Sequence, residues 1–220
     1  MIKKISYKDQ VYEHLKHAII MGDMEVGEIY SEQMIADMLN ISRTPVREAI
    51  MQLKFEKLID IFSGRGFSVR PISFSDVQQI IQARTAIEST GLTVLVENAD
   101  SDEALEVLSQ MEECVKLDMK ESLDAGHNYD FMQADMEFHM LSVMFTGNEF
   151  FIHIMRMMKA RLEQAIVSSL KKINRPLVAI REHEEILNGL LNRDADAAVQ
   201  ALRKHMQVTE NILSEMMSDR

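Results

Sequence analysis

Four side chains that can each give a metal ion one electron pair stand where helical periodicity calls for hydrocarbon. Asp135 and His139 are four apart, between Phe131 on one side and Met132 and Val143 on the other. His183 shares a face with Ile180, Ile186, Leu187 and Leu190, and His205 shares one with Ala201, Val208 and Ile212. Such groups on an apolar stripe are costly unless they are paired, hydrogen-bonded or bound to metal. One carboxylate and three imidazoles suit a first-row divalent ion such as zinc, nickel or manganese, with water or a ligand oxygen completing the shell. A second pair, Arg84 and Glu88, falls inside the stripe formed by Val77, Ile80, Ile81, Ile87, Gly91, Val94 and Leu95. A guanidinium there can grip a carboxylate through two parallel hydrogen bonds. Arg84 can therefore pair with Glu88 along the helix.

Spacing tests the metal reading independently. The segment 176–191 and the helix starting near Asp194 should form a helical hairpin, and His183 and His205 are each eleven residues from position 194. At 1.5 Å per residue both lie roughly 16 Å from the turn, so they should meet at one level. Asp135 and His139, one turn apart, can reach the same ion from a single helix face.

A different chemistry is written in "NISRTPVREAI", residues 40–50. Arg43 and Arg47 share one face of the first two turns of a helix that starts at Ser42. A helix that reads DNA enters the major groove by that end, and arginine grips guanine through its two acceptor atoms. Ser42 and Thr44 can hydrogen-bond phosphates and set the register. Arg65, between Gly64 and Gly66, can reach the backbone or the minor groove. The alternative for the two arginines is a pair with Glu48 or water on a solvated surface.

The elements that would position these residues follow from period and punctuation. "YKDQVYEHLKHAIIMG" places Val11, Leu15, Ala18 and Ile19 on one helical face and stops at Gly22. Ser31 opens a second helix, "NI" makes a tight turn, and Ser42 opens a third with Pro45 in its first turn, where no amide hydrogen is needed. The period then changes to two: Ile59 and Ile61 alternate before "SGRG", and Phe67 and Val69 after it, which predicts a β-hairpin. Helix, helix–turn–helix and hairpin make a winged helix-turn-helix over residues 1–71. From residue 75 to 220 every segment carries helical periodicity, which predicts an antiparallel all-α bundle. The fold class is thus mostly α with one small hairpin.

Charge is partitioned in the same way. The net −11 arises wholly after residue 70, because residues 1–70 hold ten basic and ten acidic side chains. DNA binding needs a local basic face, not a basic protein. No apolar run approaches the length of a membrane span, and two lysines without an apolar stretch behind them make no signal peptide. Cys114 is the single cysteine, which fits a reducing compartment and a cytoplasmic location. His14, His17, His127 and His153 lack partners at ligand spacing and are assigned to surface or packing roles. The methionines, scattered along helical faces, read as core filler.

"SEQMIADMLNISRTPVREAIMQLKFEKLIDIFSGRGFSV" resembles the winged helix of the GntR family of bacterial transcription regulators, with "SRTPVREA" and the "GRG" tip as its specific signatures. The resemblance implies DNA contacts at Arg43, Thr44, Arg47 and Gly64, with Ser42 beside them. Two positions depart from the family pattern: Gln33 where some relatives place an arginine, and Lys57 where a glycine is usual. The remainder is similar to the FCD effector-binding domain of the FadR subfamily. Its motif of an aspartate and a histidine four apart, then two later histidines, matches Asp135, His139, His183 and His205, and Arg84 matches its ligand-binding arginine. The implied protein is a metal-dependent regulator, a repressor, that binds an inverted-repeat operator as a homodimer and responds to a small organic or sugar acid. Two other readings stay open at this point: a bundle that only dimerises, and a metal-dependent hydrolase with Glu88 as its base. The second would leave a DNA-reading domain idle.

Overall fold

The computed structural model describes residues 6–121, 128–170 and 176–218, and the chain divides into two compact units. The first contains helices α1 (Tyr7–Met21), α2 (Glu32–Leu39) and α3 (Arg43–Phe55) and strands β1 (Ile59–Phe62) and β2 (Gly66–Val69). Each helix starts where a short polar side chain can replace a missing backbone partner. Ser6 accepts from the Asp9 amide and Ser31 from the Met34 amide. Ser42 occupies the corresponding position before α3 with extended backbone, but its hydroxyl makes no cap bond. Asn40, left-handed at φ 53°, turns α2 into α3. Val11, Leu15, Ile35, Val46, Leu53, Leu58 and Phe67 meet in one core.

The two strands pair antiparallel, with Ile59 opposite Val69 and Ile61 opposite Phe67. Tyr30 and Phe67 exchange both backbone hydrogen bonds, at 2.8 and 2.9 Å, and so tie the segment before α2 to the hairpin. The expected alternation holds for Ile59, Phe67 and Val69 but not for Ile61, which is exposed along with Phe62. The outer end of the hairpin runs past the helices that would bury it, so its side chains face a groove instead. Lys57 sits at φ 59° between α3 and β1. That left-handed backbone explains why glycine suits the position, since a side chain there is strained.

The second unit is built from α4 (Phe74–Glu97), α5 (Asp102–Glu121), α6 (Asn128–Phe145), α7 (Glu149–Leu170), α8 (Pro176–Leu191) and α9 (Ala195–Ser218). The segment Ala160–Ser168 of α7 clusters with the first unit. There Arg161 donates to the Arg70 and Pro71 carbonyls at 3.3 and 3.2 Å, and Gln164 donates to the Arg70 carbonyl at 3.1 Å. α4 opens with a capping box, in which Ser73 accepts from the Asp76 amide while the Asp76 carboxylate accepts from the Ser73 amide. It packs against α6 and α9, α5 packs against α6 and α8, and α8 and α9 form a hairpin.

Two glycines permit the closest helix crossings. A Cβ on Gly91 of α4 would stand 2.8 Å from the Ser142 carbonyl oxygen of α6, and one on Gly189 of α8 would stand 2.6 Å from the Ala198 nitrogen of α9. Gly189 thereby fixes the approach of the hairpin that carries His183 and His205. Gly189→Ala gains helix propensity but forces the two helices apart. It should cost about 1–3 kcal/mol net, read as a lower midpoint in chemical denaturation.

Candidate functional site

In the bundle, α6 carries Asp135 and His139, α8 carries His183, and α9 carries His205. One ligand atom from each of these four lies within 4.8 Å of every other. His139 Nε2 is 3.1 Å from His205 Nε2 and 3.2 Å from His183 Nε2, and Asp135 Oδ1 is 3.5 Å from His183 Nε2. The three imidazoles are buried and Asp135 is partly so. Phe138 stacks on the His183 ring, with centroids 4.4 Å apart.

The other ring nitrogens decide what this geometry can hold. His139 Nδ1 is 2.7 Å from Glu88 Oε2, and His205 Nδ1 is 2.8 Å from Glu182 Oε2. A proton on His205 Nδ1, donated to Glu182, leaves the Nε2 of a neutral ring with a bare lone pair; Glu88 beside His139 Nδ1 favours the same tautomer there by charge, although Glu88 Oε2 accepts no aligned hydrogen bond. Two lone pairs aimed at each other across 3.1 Å repel unless a cation takes both. Metal–nitrogen bonds of about 2.0–2.1 Å put adjacent imidazole nitrogens about 3.0–3.4 Å apart, the separation found here. Burial pushes the His139 imidazole below its usual range, with Arg84 adding to the effect and Glu88 and Asp135 opposing it. Burial thus favours the neutral ring, the form a ligand must take. At formal charges, Glu88, Asp135 and Glu182 against Arg84 leave two negative charges among these residues, the complement of a divalent cation. The donor set fits such an ion.

Arg84 and Glu88 form the pair allowed by their spacing: Arg84 Nε donates to Glu88 Oε1 at 2.6 Å, with both side chains buried. Burial alone would raise the Glu88 carboxyl, but Arg84 and His139 outweigh it and hold it below its ordinary value. Glu88 therefore stands between the guanidinium and a candidate metal ligand, one oxygen on each. Arg84 Nη2, also buried, has no hydrogen-bond partner among the described residues. An anion is the natural acceptor for it.

In the first unit, Arg43 and Arg47 project from the first turns of α3 with their side chains 53% and 62% exposed. They line a groove of about 310 Å³ together with Glu32, Gln33, Gly64 and Arg65. Ser42 and Thr44 are exposed beside it. The expected alternative partner, Glu48, is not the one found. Glu32, at the start of α2, takes Arg43 Nη2 at 3.0 Å and Arg47 Nη2 at 2.9 Å. Gln33 donates to Asp37 at 2.7 Å.

Sequence reasoning missed Glu32 and Glu182. Glu182 adjoins His183, and the same level argument that joins His183 to His205 could have found it. Nothing local marks Glu32, which is eleven and fifteen residues from its partners. His14, His17 and His153 are exposed, and His127 lies outside the described residues.

Residues 7–69 match the bacterial regulatory proteins of the gntR family, and residues 79–208, more than half of the chain, match the FCD domain. The HTH-type transcriptional repressor RspR of Escherichia coli (strain K12) is 26% identical over 209 residues, covering 92% of this chain and 87% of its own. The HTH-type transcriptional repressor NanR of Klebsiella aerogenes is 29% identical over 231 residues, covering 93% and 84%. Among solved structures, E. coli McbR/YncC superposes with a TM-score of 0.80 at 20% identity, over 97% of this chain and 99% of that one.

The buried Arg84–Glu88 pair carries a stability consequence of its own. Glu88→Ala strands a guanidinium in the bundle and releases His139, which should cost about 3–5 kcal/mol. Equilibrium denaturation of parent and variant reads this directly.

Proposed function

The chain belongs to the GntR family of bacterial regulatory proteins with a carboxy-terminal FCD domain, and on that premise we propose that it is a metal-dependent, ligand-responsive repressor. It is a transcription regulator and not an enzyme. Two copies related by a two-fold axis would read the halves of an inverted repeat in the cytoplasm. Among the described residues no helix is long and apolar enough to cross a membrane.

Asp135, His139, His183 and His205 would hold a divalent ion, zinc, nickel or manganese. Glu88 and Glu182 would fix two of its imidazoles in the tautomer that a metal needs. The bound ion would supply a Lewis-acidic position for an oxygen of the effector. Arg84, through Nη2, would take the carboxylate of the same small organic or sugar acid, while Glu88 holds the guanidinium in place. An effector that binds the DNA-competent and incompetent arrangements unequally shifts the population between them by that difference. Arg43 and Arg47 would meet guanine edges, Ser42 and Thr44 the phosphates, and the tip at Gly64 and Arg65 the adjacent backbone or minor groove.

The observation that carries the metal-dependent reading is the convergence of Asp135, His139, His183 and His205, with two Nε2 atoms 3.1 Å apart and a carboxylate beside Nδ1 of each of those two rings. A bundle that only dimerises has no use for that arrangement.

Elemental analysis of purified protein should find about one divalent ion per chain, lost in Asp135→Ala and His183→Ala. Chelation should lower the melting temperature by about 10 °C, since a ligand held at a thousand times its dissociation constant contributes about 4 kcal/mol. Metal-free parent protein that melts no lower than the metal-treated sample leaves the dimerising bundle in its place. On the DNA side, Arg47→Ala should weaken binding to a selected operator duplex by about 1–3 kcal/mol while helicity and dimerisation persist. Electrophoretic mobility shift and circular dichroism measure the two.

A further inference from the structure

The groove beside α3 contains an acidic side chain where a DNA-binding face should repel phosphate. Glu32 is the first residue of α2, directly after the capping Ser31. The cap bond is donated by the Met34 amide to the Ser31 hydroxyl, so the Glu32 carboxylate is not needed to close the helix end. It reaches across to α3 instead. Its Oε2 accepts from Arg43 Nη2 at 3.0 Å and from Arg47 Nη2 at 2.9 Å, and both of its oxygens are 3.2 Å from Arg47 Nε. Its side chain is 24% exposed, well below the 53% and 62% of the two arginines. One carboxylate thus joins two guanidiniums within the groove and is itself less exposed than either.

We propose that Glu32 is a positioning residue and a selectivity filter for DNA: it fixes Arg43 and Arg47 in a shared arrangement and cancels one of their two charges. This rests on the assignment of those arginines to the base edges.

Two consequences follow from elementary electrostatics. Free arginine side chains carry considerable rotamer entropy, and a carboxylate that grips both removes part of it before DNA arrives. That helps only a complex in which each guanidinium must find one guanine edge. Non-specific binding depends on net charge and counterion release, not on position. There, a face of two arginines and one glutamate carries one effective charge in place of two. Glu32 therefore weakens the non-specific complex while preparing the specific one, and the ratio between them widens. The short, fixed reach from α2 also opposes mutual repulsion of the arginines, which stand one turn apart on α3.

Glu32→Gln tests this with almost no change in shape, and Glu32→Asp keeps the charge but withdraws it by one methylene. The specific probe is the duplex that the parent protein selects from a random pool, and the non-specific probe is poly(dI-dC). For Glu32→Gln, non-specific affinity at low salt should rise, and its dependence on salt should steepen by about 0.9 in the log–log slope. The ratio of specific to non-specific affinity should fall about tenfold. For Glu32→Asp, the slope should stay as in the parent while the ratio still falls. Thermal melting of each variant should match the parent to within a few degrees.

An unchanged ratio and slope in Glu32→Gln overturns the proposal. So does a loss confined to the selected duplex with an unchanged slope, which would make Glu32 a direct base contact. Equal losses on both probes with a lowered melting temperature also overturn it, because Glu32 would then serve only the fold. Parent-like binding by an Arg47→Ala control would remove the assignment of the groove-facing turn itself, a separate failure.

Discussion

Neutral imidazoles cannot face each other lone pair to lone pair in a packed interior without something positive between them. The polar centre of the bundle is organised around that constraint. Glu88 and Glu182 stand 2.7 and 2.8 Å from Nδ1 of His139 and His205, and in a neutral ring a proton on that side leaves the opposite nitrogen as an acceptor. Those acceptors are then held 3.1 Å apart by three helices packed on other grounds. Arg84 neutralises one of the carboxylates, yet the formal charge of the set still falls two short of balance. Isolated burial of such charges would cost several kcal/mol each, and a divalent cation is the complement of the set.

The packing makes this arrangement affordable by making it rigid. Gly91 lets α4 approach the α6 backbone, and Gly189 lets α8 approach α9. Helices that close to one another hold their side chains at a fixed level, as the contact of His183 with His139 and of His139 with His205 requires. Phe138 stacked on His183 removes one more rotational freedom. Glu88 is shared between Arg84 and His139, so any group that draws on the guanidinium also acts on a candidate metal ligand through a single carboxylate. Coupling of this kind needs no movement of backbone, only a redistribution of hydrogen bonds about Glu88.

How much of this was readable beforehand depends on the range of the interaction. The helix start at Ser31, the change of period at Ile59, and the level of His183 with His205 are local or follow from a regular rise per residue, and the sequence displays them. Asp135 with His139 and Arg84 with Glu88 are intrahelical spacings and equally visible. Ile61 misled because alternation reports a strand and not what covers it. Glu32 was invisible because its partners lie across a helix crossing, where no period links them. The assignment of Ala160–Ser168 to the first unit was invisible for the same reason: α7 shows one continuous helical pattern.

Both polar assemblies set carboxylates against cations, but their surroundings give them opposite roles. At the groove, Glu32 and the two arginines are wet, so each pair is worth little and can be exchanged for a guanine edge at small cost. Such a contact positions a side chain without trapping it. In the bundle the groups are buried, so an atom left without a partner, as Arg84 Nη2 is among the described residues, is costly. On the proposed function, arginines that meet guanine edges need the first kind of contact, because they must let go, and ligands that retain an ion need the second, because they must not.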